Sequence, residues 1–192
     1  MEHRIRLATP ADADALLAIY APYVQNTAVS FEAVVPTVAE FARRIESIGQ
    51  QYPYLLYQVG DTVVGYAYAA RHRERVAYCY NVEISIYVSD AWHGTGVAHR
   101  LYSALFALLT RLGYSNAYAA YTSDNEKSGR FHEKFDFRLI GIFRRTGYKL
   151  GAWHDVTWLE KTLNPHADNP PPLIAISDLP AADLHALLAI DA

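Results

Sequence analysis

Apolar residues recur at helical spacing in several long stretches of the chain and alternate, or run together, through most of the rest. From Thr9, "TPADADALLAIYAPYV" repeats apolar positions every three or four residues, which predicts a helix. Thr9 fits its N-cap, Pro10 its first turn, and Asp12 and Asp14 the positive end of its dipole. "TVAEFARRIESIGQQ" (37–51) predicts a second helix, again opened by a threonine, and "VAHRLYSALFALLTRLGY" (97–114) a third. A helix of about three turns is expected over "DNEKSGRFHEKF" (124–135), with Asp124 or Asn125 near its cap.

The other stretches have strand character. "IRLA" (5–8) alternates, and "PYLLYQVGDTVVGYAYAARH" (53–72) predicts two strands joined by a Gly-Asp turn. "AYCYNVEISIYV" (77–88) is a long β-branched and aromatic run. "AYAAYT" (117–122), "FRLIGIFRR" (137–145) and "WHDVTWLEKTL" (153–163) complete the set. Strands come first and strand–helix–strand units follow, so residues 1–163 predict an α+β domain with a central mixed sheet flanked by helices. Beyond Leu163, "NPHADNPPP" is a polar, proline-rich linker. "ISDLPAADLHALLAI" (176–190) predicts one amphipathic helix capped by Ser177 or Asp178, so 164–192 is expected as a linker and short tail.

Composition narrows the function. The chain of 192 residues is 52% hydrophobic and 19% charged, as an ordinary globular domain is. A formal net charge of −3 supplies no bulk attraction for nucleic acid, and the basic cluster "RHRER" (71–75) is short and interrupted by a glutamate. The lone Cys79 excludes an internal disulfide and a multi-cysteine metal site; inside an apolar strand pattern it is expected to be buried and inert. Eight scattered histidines lack His-Glu-x-x-His spacing, so no metal is expected. No apolar stretch nears the ~20 residues that span a bilayer, and "MEHRIRLATPADADALL" lacks a signal-peptide core, which predicts a cytoplasmic protein without membrane partners.

Between the 77–88 strand and the third helix lies "HGTGVA": His93, Gly94, Thr95, Gly96, Val97 and Ala98. Glycines at a helix start leave backbone N–H groups bare at the positive end of the dipole, which suits a phosphate. A nucleotide triphosphatase loop needs Lys and Ser or Thr after its second glycine, where Val97 and Ala98 stand. A dinucleotide fingerprint needs a third glycine at His99. Without a ligand, the six residues are a softened strand-to-helix connection.

The loop, read from His93 as x-x-Gly-x-Gly/Ala, resembles that of the GNAT superfamily of acyl-CoA N-acyltransferases. "YNVEISIYVSDAWHGTGVAHRLY", "NEKSGRFHEKFDF", "GYKLGAWHDVTWLEK" and "TAVSFE" (27–32) look like its phosphinothricin and methionine sulfoximine acetyltransferase branch. The resemblance covers about residues 4–163. His93 departs from the family's Arg or Gln, but backbone amides dominate such a site. The resemblance implies the GNAT fold, acetyl-CoA as co-substrate with its pyrophosphate on the loop, a small-molecule amine acceptor, and a homodimer.

It also implies roles. Glu83, which by pattern alone also fits a solvent-facing strand position, would be the general base, and burial would improve it. His132, otherwise a surface helix histidine, would protonate the departing thiolate. Ile86, Tyr87 and Val88 would offer backbone to the pantetheine arm, with one N–H on the thioester oxygen, a donor of a kind that contributes about 3 kcal/mol. Asn125 and Ser128 would meet the same arm, or simply cap their helix. Arg73 and Arg75 would hold the acceptor's tetrahedral oxygens as guanidinium forks, or belong to a solvated loop. Phe31 would form an aromatic wall, while Glu32 replaces an Arg of some phosphinothricin enzymes and so speaks against tight phosphinothricin specificity. Tyr148, Lys149 and His154 would close the acceptor pocket, although dimer packing explains that aromatic hairpin as well. Two rivals to the amino-acid acetyltransferase stay open: an acetyltransferase of peptide N-termini or polyamines, and an acyl-CoA-binding sensor without turnover.

Overall fold

The computed structural model describes residues 2–189. Among them, seven strands form one sheet: β1 (His3–Leu7), β2 (Tyr54–Val59), β3 (Thr62–Arg71), β4 (Asn81–Val88), β5 (Asn116–Thr122), β6 (Arg138–Lys149) and β7 (Ala152–Thr162). Their spatial order is β1-β2-β3-β4-β5-β7-β6, antiparallel throughout except for the parallel β4–β5 pair. The helices are α1 (Ala13–Asn26), α2 (Val38–Gly49), α3 (Val97–Leu112), α4 (Glu126–Glu133) and α5 (Ala181–Leu188). None of the described helices is long and apolar enough to cross a membrane.

Strand periodicity explains the two-sided core. Along β2, Leu55, Tyr57 and Val59 join the core under α3, while Tyr54 and Leu56 join the core under α1 and α2. A strand buried on both faces needs no polar alternation, hence the continuous run "YLLY". The Gly-Asp turn falls between β2 and β3, where Gly60 takes φ +56°.

Capping sets the helix starts. Thr37 and Glu40 form a reciprocal capping box at α2. At the chain start Thr9 caps a short 3₁₀ turn, Pro10–Asp12, and α1 itself begins at Ala13. Asp12 also meets Arg6 at 2.6 Å, and that guanidinium holds its carboxyl down at about 2. α4 has eight residues rather than about twelve, and is capped by Asn125, whose side chain accepts from the Ser128 N–H. The chain turns just beyond it, with Asp136 at φ +59°.

Two expectations are corrected. Cys79 is exposed, because β4 starts at Asn81 and the chain from 72 to 80 is the connection that reverses β3 into β4. The last helix is shorter than predicted: Ile176–Asp178 form a 3₁₀ turn, Pro180 precedes α5, and neither Ser177 nor Asp178 caps it. The predicted end of that helix at Ile190 lies outside the described residues. The tail is seated on its own body. Asn164 donates to the carbonyls of Thr110 and Tyr114, Ile174 N–H donates to Leu112, and Arg111 pairs with Asp183 at 2.7 Å. Ile176 and Leu179 are buried in the α3-side core.

Candidate active site

The site is built on a fork in the sheet. β4 and β5 pair only from Asn81–Asn116 to Glu83–Tyr118, then part. Beyond Glu83, β4 stays paired with β3 through Val88. Alternate backbone groups of Ile84–Val88 therefore face the opening rather than a neighbour. The Val88 carbonyl is already taken: Tyr23 Oη donates to it at 2.6 Å, and His93 Nε2 lies 3.0 Å from both that oxygen and Tyr23 Oη. His93 thus ties the glycine loop to the end of β4 through its ring.

The loop beyond it is bare. Gly94 and Gly96 take φ +78° and +90°, conformations that favour glycine, and a Cβ on Gly94 would meet nothing within 4 Å. The Thr95 hydroxyl is taken up locally, donating to the Trp92 carbonyl at 2.7 Å. Gly96 caps α3 without any side-chain hydrogen bond, so no carboxylate or hydroxyl occupies the N–H groups of that 16-residue helix. A Cβ on Gly96 would lie 3.1 Å from Arg100 Nη1, so a guanidinium folds back over the same helix start. Open backbone donors, a helix dipole and a cation fit a pyrophosphate.

A slot of about 60 Å³ fills the fork, between Ile84–Tyr87 of β4, Ala119–Tyr121 of β5, and Asn125, Ser128 and His132 of α4. Val29 and Tyr102 close its walls. His132 is buried, with both ring nitrogens engaged. Nδ1 donates to the Ser128 carbonyl at 2.8 Å, and Tyr102 Oη meets Nε2 at 3.2 Å. As Nδ1 carries the proton, Tyr102 is the donor at Nε2. Burial pushes the imidazole pKa down, against a smaller upward pull from the Ser128 carbonyl, so the ring favours its neutral form.

Glu83 belongs to the other face of the sheet. It shares a strand face with Ser85 and Tyr87, and Tyr87 packs on Tyr20, Tyr23 and Tyr66 in the aromatic layer beside α1. Half-burial raises its carboxyl pKa, and the Arg73 charge opposes that. Three segments meet around this face. Lys149 Nζ donates to the Ser30 carbonyl at 2.5 Å, and Phe31 lies against Gly147, where a Cβ would collide with its ring. His154 donates from Nε2 to the Lys149 carbonyl at 3.1 Å, and its Nδ1 stands 3.4 Å from Asp124. The 27–36 loop, the β6–β7 hairpin and the start of α4 are thereby linked.

Other predicted residues lie further out. Glu32 is committed internally, clamping Arg44 at 2.5 and 3.2 Å and accepting from Tyr20. Arg75 is exposed at the start of the 3₁₀ turn Val76–Tyr78, and neither it nor Arg73 lines the slot. Tyr148 is exposed at the hairpin and packs on Trp153. The sequence reading missed Tyr102, Arg100 and His72. Tyr102 is one more aromatic on an apolar helix stripe, and nothing local marks its hydroxyl. Arg100, four residues beyond Gly96 on a helix start, was the one legible from spacing.

Residues 5–158 match the acetyltransferase (GNAT) domain family, and the chain belongs to that family. It is an N-acetyltransferase of the phosphinothricin and methionine sulfoximine branch. It is 33% identical over 157 residues to a phosphinothricin N-acetyltransferase of Streptomyces viridochromogenes, covering 82% of this chain and 86% of that one. It is 32% identical over 164 residues to the L-methionine sulfoximine/L-methionine sulfone acetyltransferase of Salmonella typhimurium, covering 85% and 96%. Among solved structures, the phosphinothricin acetyltransferase of Sinorhizobium meliloti in complex with AcCoA superposes with a TM-score of 0.85 at 33% identity, covering 93% of this chain and 97% of that one.

Proposed function

We propose that this protein moves acetyl from acetyl-CoA to the α-amine of a small amino-acid-like acceptor bearing a phosphinate, sulfoximine or sulfone group. The observation that carries this reading is the position of Glu83 at the last paired residue of the fork. On one side of the sheet the fork opens toward a bare helix start and the His132 slot; on the other, a carboxylate with a raised pKa faces the linked loops. A thioester entering by the slot and an amine entering by the Glu83 face would meet in the opening.

Backbone N–H groups of Gly94–Ala98 and the Arg100 guanidinium would hold the pyrophosphate. Ile86 and Tyr87 would offer backbone to the pantetheine arm, with Asn125 and Ser128 beside it. Acetyl-CoA supplies the activated acyl group, and the residues do the rest. Glu83 takes a proton from the acceptor's ammonium, directly or through water. A β4 N–H polarises the thioester carbonyl as charge develops. The proton released at the new amide nitrogen balances the one taken up by the thiolate, with neutral His132 and its Tyr102 donor beside the sulfur. Phe31, Arg73 and His154 shape the acceptor side.

The same reading includes a homodimer. β6 is an edge strand whose Leu139, Ile140 and Phe143 are all exposed, an apolar edge that a second copy would cover.

Free-thiol release from acetyl-CoA, with methionine sulfoximine against a no-acceptor control, tests the reading. Acceptor-dependent release is expected. Binding of acetyl-CoA without release, across a wider amine panel as well, would favour a sensor.

A further inference from the structure

Among the described residues, His72 Nδ1 is the one buried side-chain nitrogen or oxygen without a hydrogen-bond partner. Such an atom costs free energy unless something pairs with it. His72 lies just beyond β3, its ring stacked on Tyr118 at 4.3 Å and edge-on to Trp158 at 6.2 Å. Tyr118 is the β5 residue paired with Glu83 at the fork. The stack therefore fixes the imidazole beside the carboxylate, and Nδ1 stands 3.9 Å from Glu83 Oε2. That is about 1 Å beyond a hydrogen bond. A shift of about 1 Å at the Glu83 carboxylate would close it.

We propose that His72 is the positioning residue for Glu83: when the acceptor binds, Nδ1–H donates to Oε2 and leaves Oε1 to face the acceptor's ammonium. This rests on the reading of Glu83 as the base. Hydrogen bonds of catalytic groups are often long without substrate and tighten in the complex. An acceptor over Glu83 would also remove water from the carboxylate, which strengthens a pairing with His72.

The surroundings are consistent with a neutral donor. Burial pushes the His72 pKa down, and the Arg73 charge pushes the same way. The groups facing the pair are Arg73 from the same connection, Tyr78 from the 3₁₀ turn, Tyr68 from β3, and Tyr118 with Glu160 behind it from β5 and β7. A donated hydrogen bond favours the charged carboxylate, so it lowers the Glu83 pKa in the acceptor complex.

Two substitutions separate positioning from packing. His72→Phe keeps a ring on Tyr118 and removes Nδ1. His72→Asn gives up the stack and keeps a donor near the Nδ1 position. With methionine sulfoximine as acceptor, His72→Phe is expected to lower kcat about tenfold. Its acid limb should move up by about one pH unit, since the carboxyl has lost a donor that favoured its charged form. His72→Asn should recover most of the loss, and the KM for acetyl-CoA should stay unchanged in both. Wild-type kcat and pH profile in His72→Phe, with His72→Asn impaired, would overturn the proposal and leave only the stack. Glu83→Gln run alongside separates the two claims: if it too keeps full turnover at every pH, the base reading fails first. The histidine ¹⁵N spectrum of the wild-type protein with CoA gives a readout independent of turnover. With methionine sulfoximine added to the CoA complex it should show His72 as the Nδ1–H tautomer, and the Nε2–H tautomer in that ternary complex would overturn the proposal.

Discussion

Tyr102 on α3 and His132 on α4 meet at 3.2 Å, Oη to Nε2, across the wall of the fork. The pair fastens the two helices that flank the slot, and it leaves the imidazole neutral and doubly bonded. Removing the hydroxyl leaves Nε2 buried without its partner, which costs about 1–3 kcal/mol. Tyr102→Phe should therefore lower the denaturant midpoint and also slow thiol release. Unchanged stability would show that the bond is not made in solution.

The same burial gives a pH signature. The folded His132 pKa lies below its ordinary value of 6.5, so between the two the unfolded chain binds more protons. Its contribution is fully present above the unfolded pKa and is lost as pH falls from there toward the folded pKa. His132→Gln should flatten the dependence of Tm on pH below about 6.5. A slope equal to that of the wild type would place the loss elsewhere.

Gly96 should not tolerate a side chain. At φ +90° an alanine costs roughly 1–2 kcal/mol, and its Cβ would press on the Arg100 guanidinium. Gly96→Ala is expected to weaken CoA binding about tenfold in calorimetry while the domain stays folded. Equal affinity would remove the pyrophosphate from this loop.

The β6 edge should hold two copies together. Light scattering after size exclusion should give a dimer, and Ile140→Lys with Leu139→Lys should give a folded monomer. A monomeric wild type would leave those exposed residues without a partner.

The tail should contribute to stability. Ile176 is 4% exposed within the α3-side core, so Ile176→Ala should cost about 2–5 kcal/mol in denaturant unfolding. A negligible change would mean that the segment does not pack as described.

What was legible in the sequence follows from range. Helix periodicity, the Thr37 cap, the Gly60 turn and the bare "HGTGVA" loop are local features; the cap, the turn and the loop fall where the pattern predicts, while α1, α4 and α5 come out shorter than their periodic stretches. The fork is not local. β4 and β5 part because their parallel pairing ends at Glu83–Tyr118, residues 35 apart in sequence, and no pattern in "NVEISIYV" marks that point. Cys79 misled because an aromatic run looks like strand even where the chain is turning. His72 was one basic residue among several in "RHRER" until the fold stacked it on Tyr118. The tail's burial was equally hidden, since its partners Leu112 and Gln51 lie far back in the chain.

The most direct test is thiol release from acetyl-CoA by wild type and Glu83→Gln, with methionine sulfoximine as acceptor, from pH 6 to 9. The account predicts acceptor-dependent release by the wild type. Glu83→Gln should be slower by about a hundredfold or more at the acid end, should narrow the gap as the amine loses its own proton, and should keep its affinity for acetyl-CoA. Equal rates for the two proteins across that range would contradict it.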